Sequence, residues 1–266
     1  MVSAGAEFIF LVADQFAKMN HKLGGDDTRI RVAGLEMIRT WLAVWKVLGI
    51  PTDRIRFVWS SDVINSPEHR ALTEEIASRF TVARFMKCMT ALGKTDKDVI
   101  TLSQLNYACM QCADVFALGV DVCSLGMDQR KINMLAVEFA NATGRIPPTI
   151  VSHHMLSGLD GSKMSKSNPD NAIFMDDTDT DIIRKIRRSF CEPRNITKNP
   201  CLEIVQHIIL PASGRFKLGD RVFDETSLES LKTEFASGEI HPVDLKNGVV
   251  QALLCIIQPI REELAR

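Results

Sequence analysis

The sequence lacks the features that would set it apart from an ordinary globular protein. No apolar run reaches the roughly 20 residues that a membrane-spanning helix needs, and Met1 is not followed by the basic and then apolar segment of a secretory signal. Internal repeats and low-complexity segments are also missing. We therefore expect a cytoplasmic protein that makes no membrane contact.

An excess of either charge is missing as well. The 266 residues include 32 Lys and Arg against 33 Asp and Glu, for a net charge of −1. This balance excludes a broadly cationic nucleic-acid binder, so any contact with RNA must depend on local patches. With 45% apolar residues, the chain is long enough for one large or two modest domains, each with a hydrophobic core.

Seven cysteines occur without regular spacing, which argues against a disulfide framework. Cys109 and Cys112 form a C-x-x-C pair, to which Cys123 and either His153 or His154 could add zinc ligands. The pair falls inside a helical pattern and has no second pair to match it. We therefore predict buried thiols and no protein-held metal, with zinc as the alternative.

Short apolar runs alternate with helical patterns along most of the chain. The helix signals include Ser66 before a proline, a capping box at Thr101 and Gln104, and a helix that Asp128 caps and Gly144 ends. The alternation predicts an α/β fold, in which a Rossmann-like parallel sheet with flanking helices binds ligands at the carboxyl ends of its strands. The predicted strands are residues 7–13, 55–60, 120–125 and 149–155.

The last third of the chain follows a different pattern. Residues 179–191 form a basic amphipathic helix, with isoleucines on one side and Lys185 among the basic residues on the others. Three further helical segments follow, with a weak pair of strands around residues 216–223. We predict a first domain over residues 1–178 and a smaller, mostly helical domain over residues 179–266.

A loop bracketed by glycines, residues 158–169 (GLDGSKMSKSNP), has the composition of a phosphate-binding segment. Its lysines present ammonium groups, its serines add hydroxyl donors, and its glycines let the backbone come close to a ligand. The alternative is a solvated basic surface loop. The polar side chains concerned are Lys163, Lys166, Ser162, Ser165 and Ser167.

Tyr107, Gln111 and Asp114 stand at i, i+4 and i+7 of the helix that Thr101 begins, so they share one face. A phenol, an amide and a carboxylate in line can clamp a small polar ligand, whereas the alternative is a polar stripe that faces solvent. Tyr107 is the only tyrosine of the chain, and its neighbours on the helix are small or apolar. These two facts favour a ligand site.

The segment KMSKS, residues 163–167, is the nucleotide-loop signature of class I aminoacyl-tRNA synthetases. Two segments resemble tyrosyl-tRNA synthetases of the archaeal and eukaryotic type. They are residues 107–135 (YACMQCADVFALGVDVCSLGMDQRKINML) and residues 152–177 (SHHMLSGLDGSKMSKSNPDNAIFMDD). The similarity continues in two later segments, NPCLEIVQHII and GEIHPVDLKNGVVQALLCIIQPIREEL, and so covers nearly the whole chain. The resemblance implies a tyrosine-tRNA ligase with a catalytic domain and a helical anticodon-binding domain.

The resemblance also implies a role for particular residues. Asp114 matches the aspartate that accepts a hydrogen bond from the phenol of the substrate tyrosine. Three further residues match the groups around the α-amino end of that substrate. In the G-x-D-Q segment, Gly126 and Asp128 match the contacts to the ribose of ATP. The residues at the α-amino end are Tyr107, Gln111 and Gln129.

The remaining matches concern the adenine, the phosphates and tRNA. Met155 and Leu156 match the backbone at the edge of the adenine. The loop over the pyrophosphate matches Lys163, Met164, Ser165 and Lys166, and its two lysines are the expected catalytic residues. Magnesium would accompany the nucleotide, although no carboxylate cluster marks a protein-held site.

The anticodon of tRNA(Tyr) is the expected contact of the H-P-x-D segment, His241, Pro242 and Asp244. Asp244 would accept a hydrogen bond from the first anticodon base, and an ordinary helix start is the alternative. A homodimer or pseudo-dimer is also implied.

The chain departs from the family pattern at Ala108, where the family has proline, and at Asn168, where it has aspartate. The larger departure from the family pattern is at the N-terminus, because the family's Y-x-G strand and H-x-G-H helix start would precede Met1. We expect residues 1–5 to be the end of that helix. Three hypotheses follow: a catalytic tyrosine-tRNA ligase, a non-catalytic synthetase-like body that binds tRNA or dimerises, and a tryptophanyl-tRNA synthetase.

Overall fold

The computed structural model describes residues 1–94, 97–164 and 168–266. The chain forms two compact units, Met1–Ile38 with Pro51–Met155 and Arg39–Ile50 with Leu156–Arg266. The second unit thus starts upstream of residue 179, where the sequence places a boundary. The reason is that Leu159 belongs to the same buried cluster as Ile182 and Ile186 of the second unit.

The first unit contains four strands and most of the flanking helices. Its strands are β1 (Phe8–Val12), β2 (Ile55–Trp59), β3 (Val122–Gly126) and β4 (Thr149–His153). Its helices are α1 (Asp14–Met19), the first part of α2 (Asp27–Val47), α3 (Ser60–Ile64), α4 (Pro67–Arg79), α5 (Val82–Cys88), α6 (Leu102–Ala117) and α7 (Arg130–Thr143).

The strands confirm the predicted α/β architecture with parallel pairing. β1 pairs with β2 from Phe8 opposite Ile55, and β3 pairs with β4 from Val122 opposite Thr149. In each pair both carboxyl ends lie at the same edge. The residues that follow β3 and β4 therefore meet, as do those that follow β1 and β2.

Local signals account for the helix that carries the predicted ligand face. The Thr101 hydroxyl accepts a hydrogen bond from the Gln104 amide, and the Gln104 side chain accepts one from the Thr101 amide, so α6 begins with the predicted capping box. Cys109 and Cys112 point into the core of the first unit, where they are 3% and 0% exposed. Their burial confirms the prediction that these thiols pack as small apolar groups.

The predicted cap of α7 is wrong. Gln129 is the N-cap of α7, and Asp128 instead lies in the 3₁₀ turn Met127–Gln129 just before it. The Asp128 carboxylate accepts a hydrogen bond from the Gln129 side chain at 3.1 Å, and α7 has no side-chain cap bond. Gly144 ends α7 in the left-handed region with φ 72°, as predicted.

The second unit is mostly helical. It contains the last part of α2, α8 (Asp179–Arg188), α9 (Pro200–Ile204), α10 (Leu210–Ser213), α11 (Leu228–Ser237) and α12 (Pro242–Leu264), with a π-helical turn Val205–Ile209 between α9 and α10. β5 (Phe216–Leu218) and β6 (Arg221–Phe223) form an antiparallel pair, which confirms the weak strand prediction.

Two features of the second unit differ from expectation. α8 ends at Arg188 instead of residue 191, and Lys185 is buried and not on a solvated face. Among the described residues α12 is, by length and composition alone, apolar enough to cross a membrane, although no apolar run of that length was recognised in the sequence. One face of α12, which includes Leu245 and Val249, packs in the core of this unit.

Candidate active site

A cavity of about 320 Å³ lies in the first unit between β1 and β3. One wall is the predicted face of α6, and Tyr107, Gln111 and Asp114 all line it. Gln129, which follows β3, lines the same cavity. The four residues that the resemblance assigns to tyrosine are therefore gathered around one space, and the α6 face is not a stripe open to solvent.

Asp114 is the buried anion of this cavity, with 4% of its surface exposed. Its Oδ1 lies 2.9 Å from His69 Nε2, and its Oδ2 is buried without a hydrogen-bond partner among the described residues. Burial raises the pKa of Asp114, and the hydrogen bond from His69 opposes that rise. A residue that lines a ligand-sized space thus keeps an acceptor oxygen without a partner, which a buried hydroxyl would satisfy.

His69 is a functional candidate that the sequence analysis did not identify. It lies on α4, which packs against α6, and it is 1% exposed. When Asp114 is ionised its carboxylate can only accept, so Nε2 then carries the proton of this bond. The Thr73 hydroxyl donates to the His69 carbonyl at 2.9 Å and lies 3.4 Å from Nδ1. No motif marks this histidine, since its role depends on a partner 45 residues away.

Tyr107 is held beside the cavity by an edge-to-face contact with Phe16, whose ring centre is 4.6 Å away. Burial, together with the charges of Asp114 and Asp128, raises the pKa of Tyr107 to about 12. The phenol therefore keeps its proton at neutral pH. It remains a hydrogen-bond donor for a ligand in this cavity.

Gln111 and Gln129 form a polar chain along the cavity. Gln111 Nε2 donates to Gln129 Oε1 at 3.3 Å, and Gln129 Nε2 in turn donates to the Ala91 carbonyl at 3.0 Å. Gln111 Oε1 is buried without a hydrogen-bond partner among the described residues. This second unsatisfied acceptor suits an ammonium group, which offers three donors.

Gly126 lies where the chain leaves β3, beside two other residues matched to ATP. A Cβ atom at this position would lie 2.6 Å from Asp128 Oδ1 and 2.9 Å from Met155 Sδ, so only glycine fits without a shift. β3 and β4 are joined near this end by Ser124 Oγ and His153 Nε2 at 2.7 Å. The structure thus brings Gly126, Asp128 and Met155 together.

The lysine-serine loop begins with an ordered turn in the second unit. The Gly158 amide donates to the Ser162 carbonyl at 2.7 Å, and the Asp160 carboxylate accepts from the Ser162 amide and hydroxyl. A Cβ at Gly158 would lie 2.3 Å from Asn171 Nδ2, so this glycine is required by close approach. The Lys163 side chain after the turn is exposed.

The other loop positions fall into two groups. Leu156 and Met164 line a small, mostly apolar cavity of about 130 Å³ in the second unit. Ser165, Lys166 and Ser167, which carry the rest of the KMSKS signature, lie outside the described residues.

Comparison with known proteins gives this arrangement a context. Residues 1–258 match the family model of class I tRNA synthetases for tryptophan and tyrosine. Tyrosine–tRNA ligase 1, cytoplasmic, of Arabidopsis thaliana is 40% identical over 274 residues, covering 98% of this chain and 70% of that protein. The chain belongs to the tyrosyl-tRNA synthetase family.

Other tyrosyl-tRNA synthetases agree with this assignment. Tyrosine–tRNA ligase 2, cytoplasmic, of A. thaliana is 41% identical over 273 residues, which cover 98% of this chain but only 36% of that protein. The crystal structure of the Pyrococcus horikoshii enzyme complexed with L-tyrosine superposes with a TM-score of 0.89 at 30% identity, covering 98% of this chain and 80% of that one. A tryptophanyl-tRNA synthetase from Encephalitozoon cuniculi, at 17% identity and a TM-score of 0.71, shares the fold alone.

The segment that tyrosyl-tRNA synthetases are expected to use for the anticodon lies at the start of α12. His241 is the N-cap, and its Nδ1 accepts from the Val243 amide at 3.2 Å. Pro242 occupies the first helical position, and Asp244 is exposed in the first turn. Since His241 already caps the helix, the Asp244 carboxylate is not the N-cap acceptor.

Proposed function

We propose that this member of the tyrosyl-tRNA synthetase family activates tyrosine with ATP and transfers it to tRNA(Tyr). In the first step the tyrosine carboxylate attacks the α-phosphorus of ATP, and pyrophosphate leaves as tyrosyl-adenylate forms. In the second step a terminal ribose hydroxyl of the tRNA takes the tyrosyl group, and AMP leaves. Both steps need positioning and charge neutralisation, and no side chain is required as a nucleophile.

The observation that carries the proposal is the unpaired Oδ2 of Asp114, a residue that lines the cavity. A pocket that accepts tyrosine and refuses phenylalanine has a single hydroxyl with which to distinguish them. It can reject phenylalanine strongly only if a buried acceptor would otherwise remain without a partner. His69 holds Oδ1 and thereby leaves Oδ2 for that hydroxyl. The opposite end of tyrosine would meet Gln111 Oε1, Tyr107 and Gln129.

The ATP part of the proposal rests on the glycine at the end of β3 and on the lysines of the loop. Gly126, Asp128, Met155 and Leu156 would hold the nucleoside, and Lys163 and Lys166 would neutralise charge on the departing pyrophosphate. Mg²⁺ would bind the phosphate oxygens. Among the described residues no group of three or more His, Cys, Asp or Glu could hold a metal, and Mg²⁺ usually keeps water and phosphate ligands.

Two macromolecular contacts complete the proposal. His241, Pro242 and Asp244 would meet the anticodon, with the exposed Asp244 carboxylate as the acceptor for a base edge. A homodimer and a cytoplasmic location are proposed by analogy with the family and with the cytoplasmic relatives of A. thaliana.

The test compares Asp114→Asn and Asp114→Ala with the parent, each in the natural full-length protein, by tyrosine-dependent and phenylalanine-dependent pyrophosphate exchange. Asn keeps one acceptor oxygen and Ala keeps none, so discrimination against phenylalanine should fall in the order parent, Asn, Ala. The total loss should be about 10- to 100-fold, the equivalent of one unsatisfied buried acceptor. Asp121→Asn, an exposed change in the turn before β3, is the matched control.

Two outcomes would count against parts of this scheme. If Asp114→Ala discriminates as well as the parent chain, Asp114 is not the phenol acceptor. If the natural full-length protein binds tyrosine and tRNA but catalyses no exchange, the non-catalytic hypothesis is correct. Lys163→Ala tests the ATP part of the proposal by itself, because it should slow adenylate formation far more than it weakens tyrosine binding.

A further inference from the structure

Asp14 is a largely buried carboxylate of the first unit that has no part in the proposed tyrosine contacts. It follows β1, and its side chain is 12% exposed. Its Oδ1 accepts hydrogen bonds from the Ser60 hydroxyl at 2.6 Å and from the Ser61 amide at 2.9 Å, just after β2. Ser60, which is 0% exposed, in turn accepts from the Gln15 amide at 3.1 Å. The carboxylate therefore joins the ends of β1 and β2, 46 residues apart in the sequence.

The charge of this carboxylate is compensated inside the first unit. Arg31 Nη1 lies 3.8 Å from Asp14 Oδ2, and the Arg31 guanidinium lies 3.5 Å from the centre of the Trp59 ring. Burial would raise the pKa of Asp14, but the hydrogen bonds from Ser60, Ser61 and Gln15 lower it overall. Asp14 is therefore ionised at neutral pH, and bonds to an ionised acceptor are the strong ones.

The helix that begins at Asp14 forms part of the wall of the tyrosine cavity. α1 carries Phe16, whose side chain is 4% exposed and lines the cavity. The Phe16 ring meets the Tyr107 ring edge-to-face at 4.6 Å. With six residues, α1 is too short to be stable by its own hydrogen bonds, so its position depends on tertiary contacts. The bonds at Asp14 thus hold Phe16, and with it Tyr107, in place.

The opposite side of the cavity is held independently of Asp14. His69, which bonds the Asp114 carboxylate, lies on α4, a helix of 13 residues whose first turn is capped by the Ser66 side chain. α4 packs directly against α6. A loss at Asp14 should therefore disturb the Tyr107 side of the cavity and leave the Asp114 side unchanged.

We propose that Asp14 is a positioning residue for tyrosine binding, which acts through Phe16 on Tyr107. The inference rests on the proposed tyrosine site and adds to it a residue that does not touch the ligand. Without the acceptor oxygens of Asp14, α1 is released from the end of β2, the Phe16 ring shifts, and the Tyr107 phenol moves from the α-amino end of the substrate. Tyrosine and phenylalanine share that end, so both should bind less well.

The binding test replaces Asp14 by Asn and by Ala in the natural full-length protein. Asn keeps one acceptor oxygen, and Ala keeps none. Tyrosine affinity, measured by calorimetric titration, should fall in the order parent, Asn, Ala, by about 2- to 30-fold in total. In pyrophosphate exchange, activity with tyrosine and with phenylalanine should fall equally, so discrimination between them should stay at the parent value. Unchanged tyrosine affinity in Asp14→Ala, or a loss of discrimination as large as the loss of affinity, would overturn the proposal.

A second readout follows Tyr107 without any substrate. In protein labelled with 3-fluorotyrosine, the fluorine signal that Tyr107→Phe removes should shift in Asp14→Ala and shift less in Asp14→Asn. Asp27→Ala is the matched control, because it removes an exposed ion pair between Lys18 of α1 and the start of α2. It should leave the signal and the affinity unchanged. An unmoved signal in Asp14→Ala would overturn the proposal, whatever its stability. If the parent protein binds no tyrosine, the proposed function fails, and this signal still decides whether Asp14 positions Tyr107.

Discussion

Each unit contains an aspartate with little contact to solvent, fully buried for Asp114 and largely buried for Asp177, and the two carboxylates are paired in opposite ways. In the second unit, both oxygens of Asp177 lie 2.7 Å from the buried Lys185 ammonium, which also donates to the Ala172 carbonyl. In the first unit, His69 bonds one oxygen of Asp114, and the other has no hydrogen-bond partner among the described residues.

The difference separates a carboxylate that stabilises the fold from one that is kept for a ligand. Asp177 is compensated by a full positive charge, and the Phe174 ring, 4.8 Å from the ammonium, adds a cation–π contact. Asp114 is left with a raised pKa and a free acceptor, which is unfavourable for the empty protein. Such incomplete satisfaction of a buried polar group is typical of binding sites.

The largest expected effect comes from removing the partner of Asp177. Lys185→Met should lower the free energy of unfolding by about 3 kcal/mol, because the largely buried Asp177 carboxylate is left uncompensated. The measurement is urea denaturation. Lys232→Met, which removes the partner of the exposed Glu229, should change stability by less than about 0.5 kcal/mol. Equal losses in the two variants would show that the buried pair adds nothing.

Removing the partner of Asp114 should have a smaller effect on stability and a visible effect on binding. His69→Leu should lower the free energy of unfolding by about 1–3 kcal/mol. It should also raise the pKa of Asp114 further, so that tyrosine affinity begins to fall at a higher pH as the solution is acidified. Calorimetric titration with tyrosine at several pH values measures the pH at which this affinity falls. In His69→Gln, which keeps an N–H donor, this pH should return part of the way to the parent value. If the pH is the same in His69→Leu as in the parent, His69 does not position Asp114.

Neutralising each carboxylate should give changes of opposite sign. Burial raises the pKa of Asp114 above its unfolded value, so the folded state binds the extra proton, and stability declines as pH rises through that window. Asp114→Asn should remove this decline and leave stability at pH 7 equal or higher by up to about 1 kcal/mol. Asp177→Asn should instead destabilise the chain. Thermal unfolding at several pH values compares the two variants. If both substitutions destabilise the chain at pH 7, the two carboxylates do not differ in the way described here.

The smallest effect on stability is expected at a third carboxylate, which is exposed. Asp244→Ala should change the free energy of unfolding by about 0.5 kcal/mol or less, since it removes only an interaction with the dipole of α12. Charging of tRNA(Tyr) should weaken while pyrophosphate exchange stays nearly unchanged. A drop in thermal stability with unaltered charging would support the ordinary helix-start interpretation.

Features that depend on residues close together in the chain could be predicted without a structure. The capping box at Thr101 and Gln104, the Ser66 cap of α4 and the glycine that ends α7 each join groups a few residues apart, so local chemistry specifies them. The shared face of Tyr107 and Asp114 follows from helical spacing in the same way.

Which of these groups are paired and which are left for a ligand depends on contacts that form only in the folded chain. His69 meets Asp114 because α4 packs on α6, and no periodicity carries that information. Lys185 has the sequence context of a solvated lysine, yet it is buried because Asp177 and the Ala172 carbonyl offer it oxygen partners. A charged side chain is buried only where oppositely charged or hydrogen-bonding partners compensate for its lost hydration. Those partners come together only when the chain has folded.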